Sequence, residues 1–154
     1  MNNNAIEAAF LQQGYTFANF TLNGAGHPIL AVELEGQVQT NILLDTGASA
    51  NLLDYHFAQQ LGLNLRPTGT KGAGAGGVIN EVYSIDAVSL NIQGELFVFD
   101  NFLAMDFASI KQSLIANGLA ANFDGILGFG FFKTTACFID YAADRIFMLN
   151  PQKG

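Results

Sequence analysis

The 154 residues of this chain predict an all-β domain, and three observations carry the prediction. Apolar residues alternate or run together in short stretches at 28–34, 37–44, 82–92 and 95–103, the period of strands and not of helices. Between the stretches stand turn pairs: Asn23-Gly24, Glu35-Gly36 and Gln93-Gly94. Half the residues are hydrophobic, and seventeen Gly with fourteen Phe suit tight turns around an aromatic core.

Taken in order, residues 1–14 form a lead-in, frayed or helical, with mild amphipathicity from Ala5 to Leu11. One strand spans 15–22, with a slip in its alternation at Asn19 that suggests a bulge. The runs 28–34 and 37–44 make a hairpin about Glu35-Gly36. Asn51, Leu52 and Leu53 lead into a helix over 54–61, with Asp54 as N-cap and Gly62 as its stop. Residues 82–92 and 95–103 read as two further strands. Helical spacing then appears at Phe107, Ile110, Leu114 and Ile115, ended by Asn117-Gly118. The whole is one domain over 15–150 with one or two short helices.

Composition removes several function classes. A net charge of −7, with only six Lys and Arg and no basic run, argues against nucleic-acid binding. No segment approaches the roughly 20 apolar residues that span a bilayer. Met1-Asn2-Asn3-Asn4 lacks the basic start and apolar core of a secretory signal, which leaves the location open: cytoplasmic, or periplasmic if a signal peptide has been removed. Cys137 is the single cysteine, so no intrachain disulfide forms, and its apolar setting predicts a buried thiol. His27 and His56 stand apart without clustered ligands, so no metal is expected.

The chemistry points to Asp45. The run Leu43-Leu44-Asp45-Thr46-Gly47-Ala48-Ser49 puts a carboxylate at the end of an apolar strand, followed by residues that permit a tight turn. Thr46 can hydrogen-bond across a junction and lock the loop, and Gly47 and Ala48 leave room beside the carboxylate. An Asp there is poorly solvated and calls for a partner. Two such groups facing each other would share one proton, supplying a base to activate water and an acid to protonate a leaving nitrogen. The plainer reading makes Asp45 the start of an ordinary turn. Asp124 lacks a following Thr and reads as a turn residue, as does Asp140. Ser49 has no matched His and is expected to bond the backbone. Gly72, Gly74 and Gly77 satisfy the dinucleotide pattern, but a strand-like run follows where that chemistry needs a helix.

Over residues 28–149 the ordered elements resemble the retropepsin-like aspartic proteases, single-domain relatives of pepsin found in retroviruses and as stand-alone bacterial proteins. The resemblance rests on the Asp45-Thr46-Gly47-Ala48 string, the downstream Asp124-Gly125-Ile126-Leu127-Gly128 and the closing strands. It implies an acid-protease barrel in which Ile126, Leu127 and Gly128 pack beside the catalytic loop and complete a psi-shaped crossing. It also implies a flap built from Gly72, Ala73, Gly74, Ala75, Gly76 and Gly77, closing over substrate. Two departures stand out. Retroviral members pair an acidic residue four positions after the catalytic Asp with an Arg after the Ile-Leu-Gly segment; here those places hold Ser49 and Phe129, so the cleft must be braced differently. Gly130 stands where many bacterial relatives have Asp or Asn. The helix over 106–117 resembles an insertion, as lid, dimer contact or packing.

The expectation is therefore an aspartic endopeptidase acting on peptides or proteins without cofactor, as a homodimer whose two Asp45 side chains hold the attacking water. Ala48, where pepsin-like enzymes usually have Ser, removes one hydrogen bond to the anion, so activity is expected at mildly acidic to neutral pH. The alternatives are a non-catalytic peptide-binding or dimerisation module on the same fold and, weaker, a single-chain enzyme pairing Asp45 with Asp124.

Overall fold

A computed structural model describes residues 3–73 and 79–153 of the chain. In order, the elements are helix α1 (Asn3–Gln12), strands β1 (Thr16–Asn19), β2 (Thr21–Leu22), β3 (Pro28–Leu34), β4 (Val38–Leu44) and β5 (Asn51–Asp54), and helix α2 (Tyr55–Gln60). Strands β6 (Leu65–Ala73), β7 (Ile79–Ile85), β8 (Val88–Ile92), β9 (Glu95–Phe99) and β10 (Phe102–Met105) precede helix α3 (Ala108–Ala116). Strand β11 (Gly125–Leu127), helix α4 (Phe129–Thr134), strands β12 (Phe138–Asp140) and β13 (Arg145–Met148) and a 3₁₀ turn (Pro151–Lys153) complete the chain. No helix among the described residues is long and apolar enough to cross a membrane.

The strands form two sheets. The larger runs β6-β7-β10-β5-β11-β4-β3-β8-β9, with β2 added on β3; the smaller is β1-β13-β12. All-β architecture holds, but the expected barrel does not close: among the described residues β6 and β9 end the larger sheet without meeting. Among the described residues four short α-helices stand where one or two were expected. Helix α4 escaped because Phe129-Gly130-Phe131-Phe132 is a poor helix former by itself, and its start is capped by a residue far away in sequence. The slip at Asn19 is where the chain leaves one sheet for the other: β1 pairs with β13, and β2 with β3. The expected strand over 95–103 is two strands, β9 and β10, broken at Asp100-Asn101.

Local chemistry sets the register. Glu35 and Gly36 both take positive φ (55° and 63°), giving the two-residue turn whose twist matches a right-handed hairpin. Strand β3 then pairs with β4 from Leu34↔Val38 to Ile29↔Leu43. Its inner face (Leu30, Val32, Leu34) joins Ile42, Leu44, Leu90, Phe97, Phe99 and Phe131 in the main core. Helix α1 is fastened to the small sheet: Phe10 stacks on Phe147 at 4.3 Å between centroids. The buried Arg145 donates to Glu7 at 2.7 Å and to Asp140 at 3.2 Å. At the far edge, the Gln152 side-chain amide accepts from Val98 N–H (3.1 Å) and donates to Val98 C=O (3.0 Å).

Strands β4 and β5 are consecutive in the chain but not neighbours. Strand β11 lies between them, parallel to β4 and antiparallel to β5. Residues 45–50 must therefore arch over the end of β11, and this crossing positions the candidate site.

Candidate active site

Asp45 emerges where β4 ends, and every bond around it is local to the crossing. Its backbone N–H donates to Leu127 C=O at 3.0 Å, tying the loop to β11. Its Oδ1 accepts from Gly47 N–H at 2.9 Å, and its C=O accepts from Ala48 N–H at 3.1 Å. A β-carbon at Gly47 would stand 3.2 Å from the same Oδ1, tighter than most real contacts. The carboxylate is half-buried, Thr46 and Gly47 are exposed, and Ala48 offers a methyl group in place of a donor.

The carboxylate opens into a cleft of about 560 Å³, within the ordinary range for ligand sites. Leu43, Leu52, Ile126 and Ala48 lie beneath; Gly72, Val82, Leu103 and Met105 line one side, and Ile110, Leu114 and Phe123 another. Of the expected flap residues, Gly72 and Ala73 sit at the end of β6, paired with Asn80 and Ile79 of β7. Gly74, Ala75, Gly76 and Gly77 lie outside the described residues.

Sequence reasoning weighed His27 only as a metal ligand. It lines the cleft with Asp45. The signal was present: the β3–β4 pairing ends at Ile29↔Leu43, and two more steps in that register set His27 opposite Asp45.

Ile126, Leu127 and Gly128 lie against the loop. Ile126 pairs with Leu43 and with Leu52, one on each side of the crossing. Gly128 admits no side chain, because a β-carbon there would meet Ala48 O at 2.7 Å and Ala48 Cβ at 3.0 Å. Phe129 N–H in turn donates to Ala48 C=O at 2.9 Å.

What replaces the missing brace is Asn51, fully buried at the start of β5. Its Oδ1 accepts from Gly128 N–H and from Phe131 N–H, each at 3.0 Å, so it caps α4 from outside the helix. Its Nδ2 donates to Asn101 Oδ1 at 3.0 Å. A β-carbon at Gly130 would lie 2.7 Å from Asn101 Nδ2 and 3.1 Å from Asn51 Nδ2. The space beside Gly130 is thus filled by two carboxamides. Nothing local in the sequence points to this network, since its members lie some fifty and eighty residues apart.

Asp124 and Asp140 have structural partners. Asp124 accepts from Thr40 Oγ1 at 2.5 Å and pairs with Lys111 at 3.6 Å. Its N–H donates to Asn41 C=O, which places it level with a residue four positions before Asp45. That is about 13 Å of strand at ~3.3 Å per residue, too far for a dyad within one chain. Asp140 accepts from Ala143 N–H at 3.1 Å, as a turn residue does. Ser49 is exposed and lines the cleft. Cys137 is half-buried just before β12, less deeply than expected, and burial pushes its thiol up to about 12.

The aspartyl protease family matches this chain over residues 30–131. No curated protein matches it in sequence. Among solved structures, a retropepsin-like aspartic protease from Rickettsia conorii is similar at 21% identity, over 87% of this chain and 90% of that one, with a TM-score of 0.52. The retroviral protease-like domain of Ddi1 from Leishmania major matches at 16% identity, covering 85% and 88%, with a TM-score of 0.55. The EIAV protease, solved with the inhibitor HBY-793, matches at 23% identity, covering 73% and 91%, with a TM-score of 0.51.

Proposed function

Because this chain belongs to the aspartyl protease family, we propose that it is an endopeptidase whose active site forms when two copies bring their Asp45 side chains together. One observation carries the reading. Asp45 is the only carboxylate among the described residues lining the cleft, and it is fixed there by its own loop and by β11. Half an acid–base pair held this firmly is what a symmetric dimer would complete.

In that dimer one Asp45 is ionised and the partner's Asp45 carries the shared proton, since two carboxylates in contact cannot both ionise cheaply. The ionised group takes a proton from water as the water oxygen bonds to the peptide carbonyl carbon. The protonated group gives its proton to the carbonyl oxygen. Collapse of the tetrahedral species returns the oxygen's proton to the enzyme and breaks the C–N bond, while the departing nitrogen takes a proton from the dyad. Neither a metal nor a covalent intermediate enters.

The two-fold axis passes beside residues 45–47, where Thr46 and Gly47 are exposed. Phe129 supports this placement: its N–H is bonded to the loop, yet 57% of its surface is open to solvent. A partner would cover it.

The test is cleavage of a diverse peptide library between about pH 4 and 7.5, with Asp45→Asn protein beside the parent. Parent activity that falls at least about 10²-fold in the variant supports the dyad. Loss of specific activity on dilution supports the dimer. An absence of cleavage by folded, dimeric protein would favour a peptide-binding module. A profile peaking below about pH 3 would contradict the expected mildly acidic to neutral range.

A further inference from the structure

The ends of β2, β3 and β4 bring a row of polar side chains to the rim of the cleft. Leu30, Val32 and Leu34 of β3 enter the main core, so Ile29 faces the other way with its partner Leu43. Leu43 lines the cleft. Two residues before Ile29 on that face comes His27, and two residues after Leu43 comes Asp45; both line the cleft as well. On the far side β2 pairs Leu22 with Pro28, and the next step sets Asn23, another lining residue, opposite His27.

The backbone of His27 is fastened on both sides. Its N–H donates to Asn23 Oδ1 at 2.9 Å, and its C=O accepts from Asn23 N–H at 3.0 Å. Ala25 N–H donates to the same Oδ1 at 3.0 Å, and Pro28 keeps the residue before it extended. The ring is treated differently. His56, the other histidine, stands 3.4 Å from Asp106, whereas no described residue bonds the His27 ring, which is exposed. The clamp presents the imidazole to the cleft without engaging it in the fold.

His27 is also the only side chain among the described lining residues that can carry a positive charge. The titratable group facing it is Asp45 on β4; from β2 it meets the uncharged Asn23, and the rest of the lining is Ser49, glycine and apolar side chains. We propose that His27, as the imidazolium, binds a side-chain carboxylate of the substrate, so that the enzyme selects peptides with Glu or Asp within two residues of the bond cut. An imidazolium gives a carboxylate a charge-assisted hydrogen bond, and imidazoles gain that charge on the acid side of about pH 6.5. The spacing follows from the register: opposed residues of an antiparallel pair lie about 5 Å apart, one to two residues along an extended peptide. The proposal rests on the peptidase reading for its substrate, and it runs against the chain's net charge of −7, which by itself favours basic peptides.

Peptides blocked at both ends, with Gln or Glu at each position within two residues of the cut, are compared by kcat and KM at about pH 5.5 and 7.5 for the parent, His27→Gln and His27→Lys. The loop bonds use only the His27 backbone, so both variants keep them. Reduced-amide analogues, which cannot be cleaved, are titrated against the same three proteins. At one position the parent should prefer Glu at pH 5.5 by at least about 5-fold, carried by KM, and lose the preference by pH 7.5. His27→Gln should abolish it at both pH values and His27→Lys should keep it at both, a pattern that a merely structural His27 would not produce. Asp45-dependent cleavage with no Glu preference, or with one unchanged in His27→Gln, overturns the proposal and leaves the peptidase reading intact. Analogue binding that prefers Glu through His27, without cleavage by the parent, supports the proposal and removes the peptidase reading. Neither cleavage nor analogue binding overturns both.

Discussion

The floor and the α3 wall of the cleft are made by different means. Beneath Asp45, backbone bonds from Leu127, Gly47 and Ala48 fix the loop, Gly128 excludes a β-carbon, and the buried Asn51 ties β5 to α4. Across the cleft, α3 has no buried residue, and its first N–H groups are met by the carboxylates of Asp54 and Asp106 and not by its N-cap residue Phe107. The loop is held by backbone bonds and a buried carboxamide, the helix by apolar packing on one face and by contacts at its N-terminal end. The floor should therefore answer substitution in stability and rate together.

The largest effect on rate is expected at Gly128. Gly128→Ala forces a methyl group against Ala48 C=O, costing about 1–3 kcal/mol or more. A loop displacement of about 1 Å would lower kcat about 10²-fold. A thermal melt and single-turnover cleavage measure both; a variant as stable and active as the parent would break the contrast. Next is Asn51→Ala, which leaves the Gly128 and Phe131 N–H groups buried without an acceptor. The loss should be about 2–6 kcal/mol by urea unfolding, taking ~1–3 kcal/mol for each orphaned group.

Phe129→Asp should leave the monomer's stability nearly unchanged, because the side chain is exposed, and weaken the proposed dimer by about 2 kcal/mol or more. Sedimentation at several concentrations would report a midpoint raised at least about 30-fold. Amide exchange sharpens the comparison without mutation: the N–H groups of α3 should open well below the global unfolding free energy, and those of β11 near it. Equal protection would show that the wall is as fixed as the floor. The smallest effect concerns Cys137. With its thiol raised to about 12 by burial, iodoacetamide should label the native protein far more slowly than the unfolded chain at pH 8.

Much of the floor could be read in advance because it is written in contiguous residues. Leu43 to Ala48 state the strand end, the carboxylate and the turn, and Gly125 to Gly128 state the strand that slides beneath. The hairpin turn at Glu35-Gly36 sets the β3–β4 register, and that register extended two steps past Ile29↔Leu43 points His27 toward Asp45. Asn51 and Asn101 were illegible for the opposite reason: each is an ordinary polar residue until the fold joins them. Helix α4 was hidden because its cap belongs to β5. Barrel closure was expected from resemblance alone, and the ends of the larger sheet do not meet.

One of those ends has a consequence for the protein as a colloid. Strand β9 turns Leu96 and Val98 outward at 55% and 36% exposure, the kind of apolar edge on which a second chain can add a strand. The Gln152 carboxamide occupies the free donor and acceptor of Val98 with its own, imitating one peptide unit of the strand that is not there. Asn150 Nδ2 donates to Leu96 C=O at 2.8 Å beside it, so two carboxamides from the chain's end occupy edge positions that a second chain would need. Deleting residues 151–154 should leave the fold standing and convert concentrated solutions, over days, into material that binds thioflavin.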